Sequence, residues 1–441
     1  MRVKIIRPLV LLVAGGCAFG ASTGAGKADS SMFRADPSHL GVYDSTAPLL
    51  SSVKWRFHPG GKFFSSPTIS DGTVYIGNTD GKLYAVRASD GSQVWSFKTA
   101  GAVNSTPAVS NGVVVVSSRD GNVYGVDVAS GVKKWAFETG GERRFTAPGI
   151  HGIAPKNETM PDPYDVFLSS PAISNGVAYI GSGDHYVYAL DAATGSLQWK
   201  FLTGNVVHAS PAVAGGMVYV GSWDRYFYAL DARSGAVRWR FTTGDDRVIY
   251  NQVGIAGSAT VTDGMVYFGC RDSTFYALDA LTGALAWKHD QHGSWVIGSP
   301  AIANGVVYYT TSDEKRFWAL DARTGAEKFN VPYGSFAFSS PSLAGGVAYF
   351  GTFDGRLYGI NARSGEVVAR FSTDASTQNL SAHLDKSGNV DLNTFYDDAT
   401  LDATILGLER IYGLGSIPGS AAIDGGVLFV GSTEGTLYAL A

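Results

Sequence analysis

The stretch YALDAATGSLQWKFLTG, Tyr188 to Gly204, returns forty residues later as YALDARSGAVRWRFTTG, Tyr228 to Gly244. A phrase that recurs at a fixed interval decides the architecture before any local argument does. Aligned on its glycine, it stands at Gly91, Gly131, Gly195, Gly235, Gly283, Gly325 and Gly365. Four residues further on come Trp95, Trp135, Trp199, Trp239 and Trp287, with Phe329 and Ala369 in the last two copies. Upstream of each phrase lies a second shared unit. It is marked by a Ser/Thr-Pro pair at Ser66, Thr106, Ser170, Ser210, Ser299 and Ser340, and by Ser-Ala at Ser258 and Ser420, which makes eight units.

Within a unit, short runs rich in Val, Tyr and Phe alternate with Gly, Asn and Asp, the pattern of antiparallel hairpins. Four such runs every ~40 residues are the period of a propeller blade. The eighth unit ends at GTLYALA without a tryptophan strand, and VKWRFHPGG, Val53 to Gly61, supplies the missing one with Trp55 in the tryptophan position. The expected fold is all-β: one eight-bladed propeller of four-stranded blades, its last blade closed by the N-terminal strand, which removes free sheet edges. The repeated phrase itself reads as a joint. Gly195 supplies a positive φ, Asp191 and Thr194 satisfy the turn's backbone N–H groups, and the tryptophan fills the seam to the next blade.

ALDAATGSLQW is similar to the tryptophan-docking pattern Ala-x-Asp-x-x-Thr-Gly-x-x-x-Trp of pyrroloquinoline-quinone (PQQ) repeat propellers, and the resemblance extends over about residues 33–441. Two kinds of protein share that fold: PQQ-dependent alcohol and sugar dehydrogenases, and non-catalytic propellers of the type found in the outer-membrane β-barrel assembly machine. Fold alone does not choose between them.

A net charge of −4 with 16% charged residues implies no nucleic-acid partner. The start, MRVKIIRPLVLLVAGGCAFGAS, has a basic front, a short apolar core and small residues, and reads as an export signal over 1–20, too short to span a bilayer. AGGC, ending at Cys17, makes that residue a lipidation candidate and the signal a lipoprotein signal ending at 16. Cleavage after Gly20 is the alternative, and 21–32 reads as a flexible linker. The chain has 2 cysteines, Cys17 and Cys270, and no Cys-x-x-Cys-His, which excludes a covalently attached haem.

Positions where the eight units agree are architecture; those where they differ are where function is sought. The turn between the second and third strands carries an acid in every unit: Asp80, Asp120, Asp184, Asp224, Asp272, Asp313, Asp354 and Glu434. Such an acid suits an Asx-type turn cap. Glycine follows it in blades one, two, seven and eight, whereas blades three to six read Gly183-Asp184-His185, Trp223-Asp224-Arg225, Arg271-Asp272-Ser273 and Ser312-Asp313-Glu314. Inserts near 140–167, 245–256 and 372–418 all fall between the last strand of one blade and the first of the next, on the same face as these turns.

The candidate binding residues are therefore Arg143, Arg144, Asp162, Asp165, His185, His208, Trp223, Arg225, Arg247, Asn251, Gln252 and Arg271. Trp223 and Arg271 are expected to be exposed anchors whose loss leaves stability within about 1 kcal/mol. In the third insert, LDKSGNVDLNTFYDD lacks the glycine and the final Glu of a calcium loop. Leu401, Ile405, Leu408 and Tyr412 then follow at helical spacing.

These features favour an exported binding or scaffold protein of the cell envelope, with no cofactor, meeting an envelope protein or a small ligand on the insert-bearing face and touching the membrane only through a lipid anchor. The alternative is a PQQ- and Ca²⁺-dependent dehydrogenase. In that case Asn251 with Asp162 or Asp165 would hold calcium, Trp223 would stack on the quinone, and Arg271 or Arg247 would meet its carboxylates.

Overall fold

The computed structural model describes residues 32–245 and 254–441; Cys17 and the whole of 1–31, together with Arg247, Asn251 and Gln252, lie outside the described residues. Eight four-stranded antiparallel sheets form the ring. Seven are consecutive meanders, Thr68–Lys98, Ala108–Glu138, Ala172–Leu202, Ala212–Thr242, Thr260–Asp290, Ala301–Pro332 and Ser342–Ser372. The eighth combines Ala422–Asp424, Val427–Gly431 and Leu437–Leu440 with Val53–Phe57 as its outermost strand, Trp55 paired with Ala439. The ring closes as the sequence requires.

The repeated phrase is a joint for a definite steric reason. Its alanine or glycine on the third strand pairs with the tryptophan on the fourth, as Ala189 does with Trp199 and Gly125 with Trp135, so the indole can lie across a small residue. Each indole N–H donates to a carbonyl of the following blade: Trp55 to Ala88, Trp95 to Val128, Trp135 to Ala192 and Trp199 to Ala232, at 2.9–3.1 Å. The next blade's turn glycine covers the ring. A Cβ on Gly195, whose φ is +73°, would stand 2.5 Å from Trp135. Glycine is required there for both space and backbone conformation.

The Ser/Thr-Pro signature has an equivalent task at the axis. Ser170 N–H donates to Ser210 Oγ (2.9 Å), Ser210 to Ser258 (2.8 Å), Ser340 to Ser420 (3.0 Å) and Ser420 to Ser66 (2.8 Å), tying inner strands together across blade boundaries. Buried apolar residues such as Val187, Val207, Val220 and Leu230 fill the space between neighbouring sheets.

Residues 32–52 form an arm that does not belong to any blade. On the face opposite the inserts it passes under blades four to eight, where Val213, Val261, Ile302 and Leu343 N–H groups donate to carbonyls of Pro37, Ser38, Leu40 and Gly41. Arg34, 2% exposed, donates to the carbonyls of Pro341 and Pro300 at the inner ends of blades seven and six. His39 lies buried beside the Ala259 carbonyl, and its desolvated imidazole is pushed down to about 3. Met32, at the end of the stretch that reads as a linker, is itself buried in the cluster containing Ala108 and Ile173. Among the described residues, no helix is long and apolar enough to cross a membrane.

Candidate functional site

The turn acids do more than cap their own turns. Asp184 accepts from Tyr186 N–H (3.1 Å), from the Tyr188 hydroxyl (2.5 Å) and from Gly140 N–H at the end of the preceding blade (2.5 Å). Asp224 repeats this with Tyr226, Tyr228 and Gly204, and Asp272 with Thr274, Tyr276 and Gly244. Each carboxylate thus ties a blade to its predecessor. Blade six departs from the pattern: Trp318 stands in place of the tyrosine and has no hydroxyl, and Asp313 is exposed and, among the described residues, accepts only from Ser312 Oγ.

Directly after the acid the backbone needs a positive φ. Blades one, two, seven and eight place Gly81, Gly121, Gly355 and Gly435 there; blades three to six place His185 (φ +78°), Arg225 (+75°), Ser273 (+67°) and, one residue later in a longer turn, Lys315 (+54°). Non-glycine residues in this region cost on the order of 1 kcal/mol each, and such strain concentrates at functional sites. His185 and Arg225 are half-buried at the rim, Arg225 lying 3.6 Å from Asp245. Arg143 and Arg144 are exposed on the first insert.

Trp223 and Arg271 are not exposed anchors, contrary to expectation. They are 2% and 1% exposed. The connection after blade two folds back over them. Its Phe145 stacks on Trp223 (4.3 Å between centroids), and the Arg271 guanidinium lies against both the Trp223 ring (4.6 Å) and the Trp295 ring (3.9 Å). Arg271 Nη1 donates to Asp162 Oδ2 at 2.6 Å, and Nη2 lies 3.1 Å from His151 Nε2, itself 2.9 Å from Asp162 Oδ1. Burial alone would raise the Asp162 carboxyl, but Arg271, His151 and the Tyr164 N–H outweigh it and hold it well below the usual carboxylate range. For His151, burial wins and keeps the imidazole below its ordinary value despite Asp162.

A second buried constellation lies closer to the axis. His208 takes the place that Phe64, Leu168, Ile297 and Phe338 take in other blades around the channel. Its Nδ1 is 2.6 Å from Asp165 Oδ1 and its Nε2 is 3.3 Å from Glu142 Oε2. Burial acts to lower the imidazole, yet the two carboxylates overcome it and push it up to about 9. Asp165 also accepts Phe145 N–H (2.7 Å), which ties the two ends of the insert together, and Glu142 accepts Gly183 N–H (3.0 Å), which anchors the insert to blade three.

The third insert closes the mouth. Leu401–Tyr412 is a helix, as its spacing indicates, started by Thr400, whose hydroxyl accepts Ala403 N–H. Its buried side is Thr404, Leu408, Ile411 and Tyr412 rather than one through Ile405, which is 41% exposed. Leu408, Ile411 and Tyr412 join Phe64, Phe338, Phe353 and Trp295 in a cap above the channel. The structure brings Asp162, Asp165, His208, Trp223 and Arg271 together with Glu142, His151 and Trp295. Of those three, His151 is legible beside Asp162 and Asp165 as a loop candidate of the first insert, whereas Glu142 and Trp295 carry no such signal, Trp295 because the units vary freely at its position.

A ring of eight four-stranded blades with tryptophan-docking joints between them is a PQQ-repeat propeller. A family model described as "Outer membrane protein assembly factor BamB" matches residues 45–149, 153–253 and 244–393, and the chain belongs to that family. Among solved structures, BamB from Moraxella catarrhalis aligns with a TM-score of 0.63 at 15% identity, over 88% of this chain and 98% of the other. The quinohemoprotein alcohol dehydrogenase of Comamonas testosteroni gives 0.66 at 14%, over 94% and 81%. A europium-containing methanol dehydrogenase gives 0.66 at 14%, over 93% and 91%. At these identities the likeness concerns the fold alone. No curated protein sequence gives a significant match.

Proposed function

We infer that this is a non-catalytic binding protein of the cell envelope, exported through residues 1–20, which presents its insert-bearing face to a protein partner of the barrel-assembly type. The observation that carries this reading is Arg271. Its own guanidinium lies against Trp223 and Trp295, the flat rings on which a quinone would otherwise stack, and it is neutralised by Asp162. Asp165 is likewise engaged by His208. Among the described residues, no three His, Cys, Asp or Glu side chains converge on a space for a metal ion. The described residues, Asp162, Asp165, Trp223 and Arg271 among them, are not arranged for a quinone with its calcium ion.

What remains outward is a strained rim. His185 and Arg225 hold positive φ where glycine would be free of cost, and selection for a bound partner is a physical reason to keep them. The test is affinity purification of the tagged full-length chain from its native envelope, beside a His185→Gly/Arg225→Gly variant. The expected result is co-purification of barrel-assembly components with the wild type, reduced at least about fivefold in the variant, while the variant melts at the same or a higher temperature. Equal recovery from both would remove this rim from the interface, and recovery of no assembly component would overturn the reading.

A further inference from the structure

Beside the axis, on the insert face, a cleft runs between blades one and two and the helix Leu401–Tyr412. Its inner end is Phe64 and Asn104, which also line the axial channel. Its flanks are Val166, Leu408 and Tyr412, all buried, and its rim carries Lys62, Arg119 and Arg144. None of these side chains pairs with Arg271 or His208, although Arg119 reaches the backbone carbonyl of Asp165.

Two observations point to a ligand. The first is at the inner end. Asn104 is 7% exposed; its Nδ2 donates to the Val166 carbonyl at 2.7 Å, which sets the orientation of the amide, and its Oδ1 is buried without a partner among the described residues. A buried acceptor in that state calls for a donor from outside the protein, a water or a ligand that displaces it. The second is the charge at the rim. Lys62 is paired with Glu409. Arg119 spends Nη2 on the carbonyls of Asp165 and Phe167, which orient the guanidinium without neutralising it. Arg144 is exposed, and its side chain has no hydrogen-bond or ion-pair partner among the described residues. The rim therefore holds an excess of positive charge in the planar, forked form that suits a carboxylate. A dianion would lose more hydration against Val166, Leu408 and Tyr412 than a single carboxylate does.

We propose that this cleft binds a small apolar carboxylate whose acid group meets Arg144 and Arg119, and whose remote end offers an O–H or N–H donor to Asn104 Oδ1. This site is independent of the protein-partner reading, because it needs no macromolecule and its test uses the purified chain alone.

The probe is 6-hydroxy-2-naphthoate, titrated calorimetrically into the full-length protein and compared with 2-naphthoate, 2-naphthol and 1-naphthyl phosphate. The hydroxynaphthoate should bind most tightly, with loss of either the hydroxyl or the carboxylate weakening it about tenfold. Arg144→Gln should weaken both carboxylates about tenfold while leaving 2-naphthol binding and the melting temperature unchanged, since the side chain is exposed and unpaired. No binding at about 1 mM would overturn the site. So would equal affinity for 2-naphthol with no effect of Arg144→Gln, which describes an apolar cavity only. Tighter binding of the phosphate would overturn the carboxylate assignment.

Discussion

Arg271 carries its charge into a place almost without water, and its neighbours decide what removing it does. Asp162, 0% exposed, would be left with its carboxylate held only by His151 and the Tyr164 N–H, with no cation to balance it. Arg271→Ala should therefore cost about 3–5 kcal/mol, read from denaturant midpoints; a loss below about 1 kcal/mol would show the pair to be dispensable. His208 makes a pH prediction. Its folded value of about 9 lies above the ordinary 6.5, so the protonated imidazole is the stabilising form. The contribution is complete below pH ~6.5, declines as pH rises through ~9, and amounts to on the order of 3 kcal/mol. Melting temperature measured from pH 6 to 10 should fall more steeply for the wild type than for His208→Gln; parallel curves would contradict the assignment. The sequence identified His208, Trp223 and Arg271 because each breaks a repeat. It could not show their burial, because Asp162 reaches Arg271 from an insert 109 residues earlier that has no period to read.

Elements in this fold are stable only in company, since each sheet buries its faces against two neighbours. The strand Val53–Phe57 gives the last blade its fourth member and carries Trp55 to the Ala88 carbonyl of blade one, so it forms both an edge and a seam. Removing Val53–Gly61 should lower the melting temperature by more than 10 °C or prevent folding, whereas removal of residues 21–31 should shift it by about 2 °C or less. Equal shifts would sink the closure argument. A single methyl group tests the joint: Gly195→Ala should cost at least about 2 kcal/mol, because the added carbon meets Trp135 and the φ of +73° disfavours it. Thermal unfolding indistinguishable from wild type would contradict that. Strands, joints and closure were legible because the same steric solution is written eight times. The arm through Arg34 and His39 was not, since it occurs once and binds by its backbone to the inner strands of the ring.

At the scale of the whole molecule the two faces differ in what they are free to do. One is sealed by residues 32–52, which span the inner ends of several blades. The other collects the first and third inserts, a helical cap, four strained turns and two buried ion-pair constellations. The chain shares its ring with BamB from Moraxella catarrhalis and with a quinohemoprotein alcohol dehydrogenase. In the proposed reading the fold serves binding, because Arg271 is spent on Trp223, Trp295 and Asp162, and His208, beside the axial channel, on Asp165 and Glu142. The most direct measurement is reconstitution: pure full-length protein with excess PQQ and Ca²⁺, passed through gel filtration, then examined for a bound quinone spectrum and for dye reduction with alcohols and sugars. The expected result is less than about 0.1 quinone per chain and no substrate-dependent reduction. One tightly held quinone per chain, with turnover abolished by Arg271→Ala, would contradict the account.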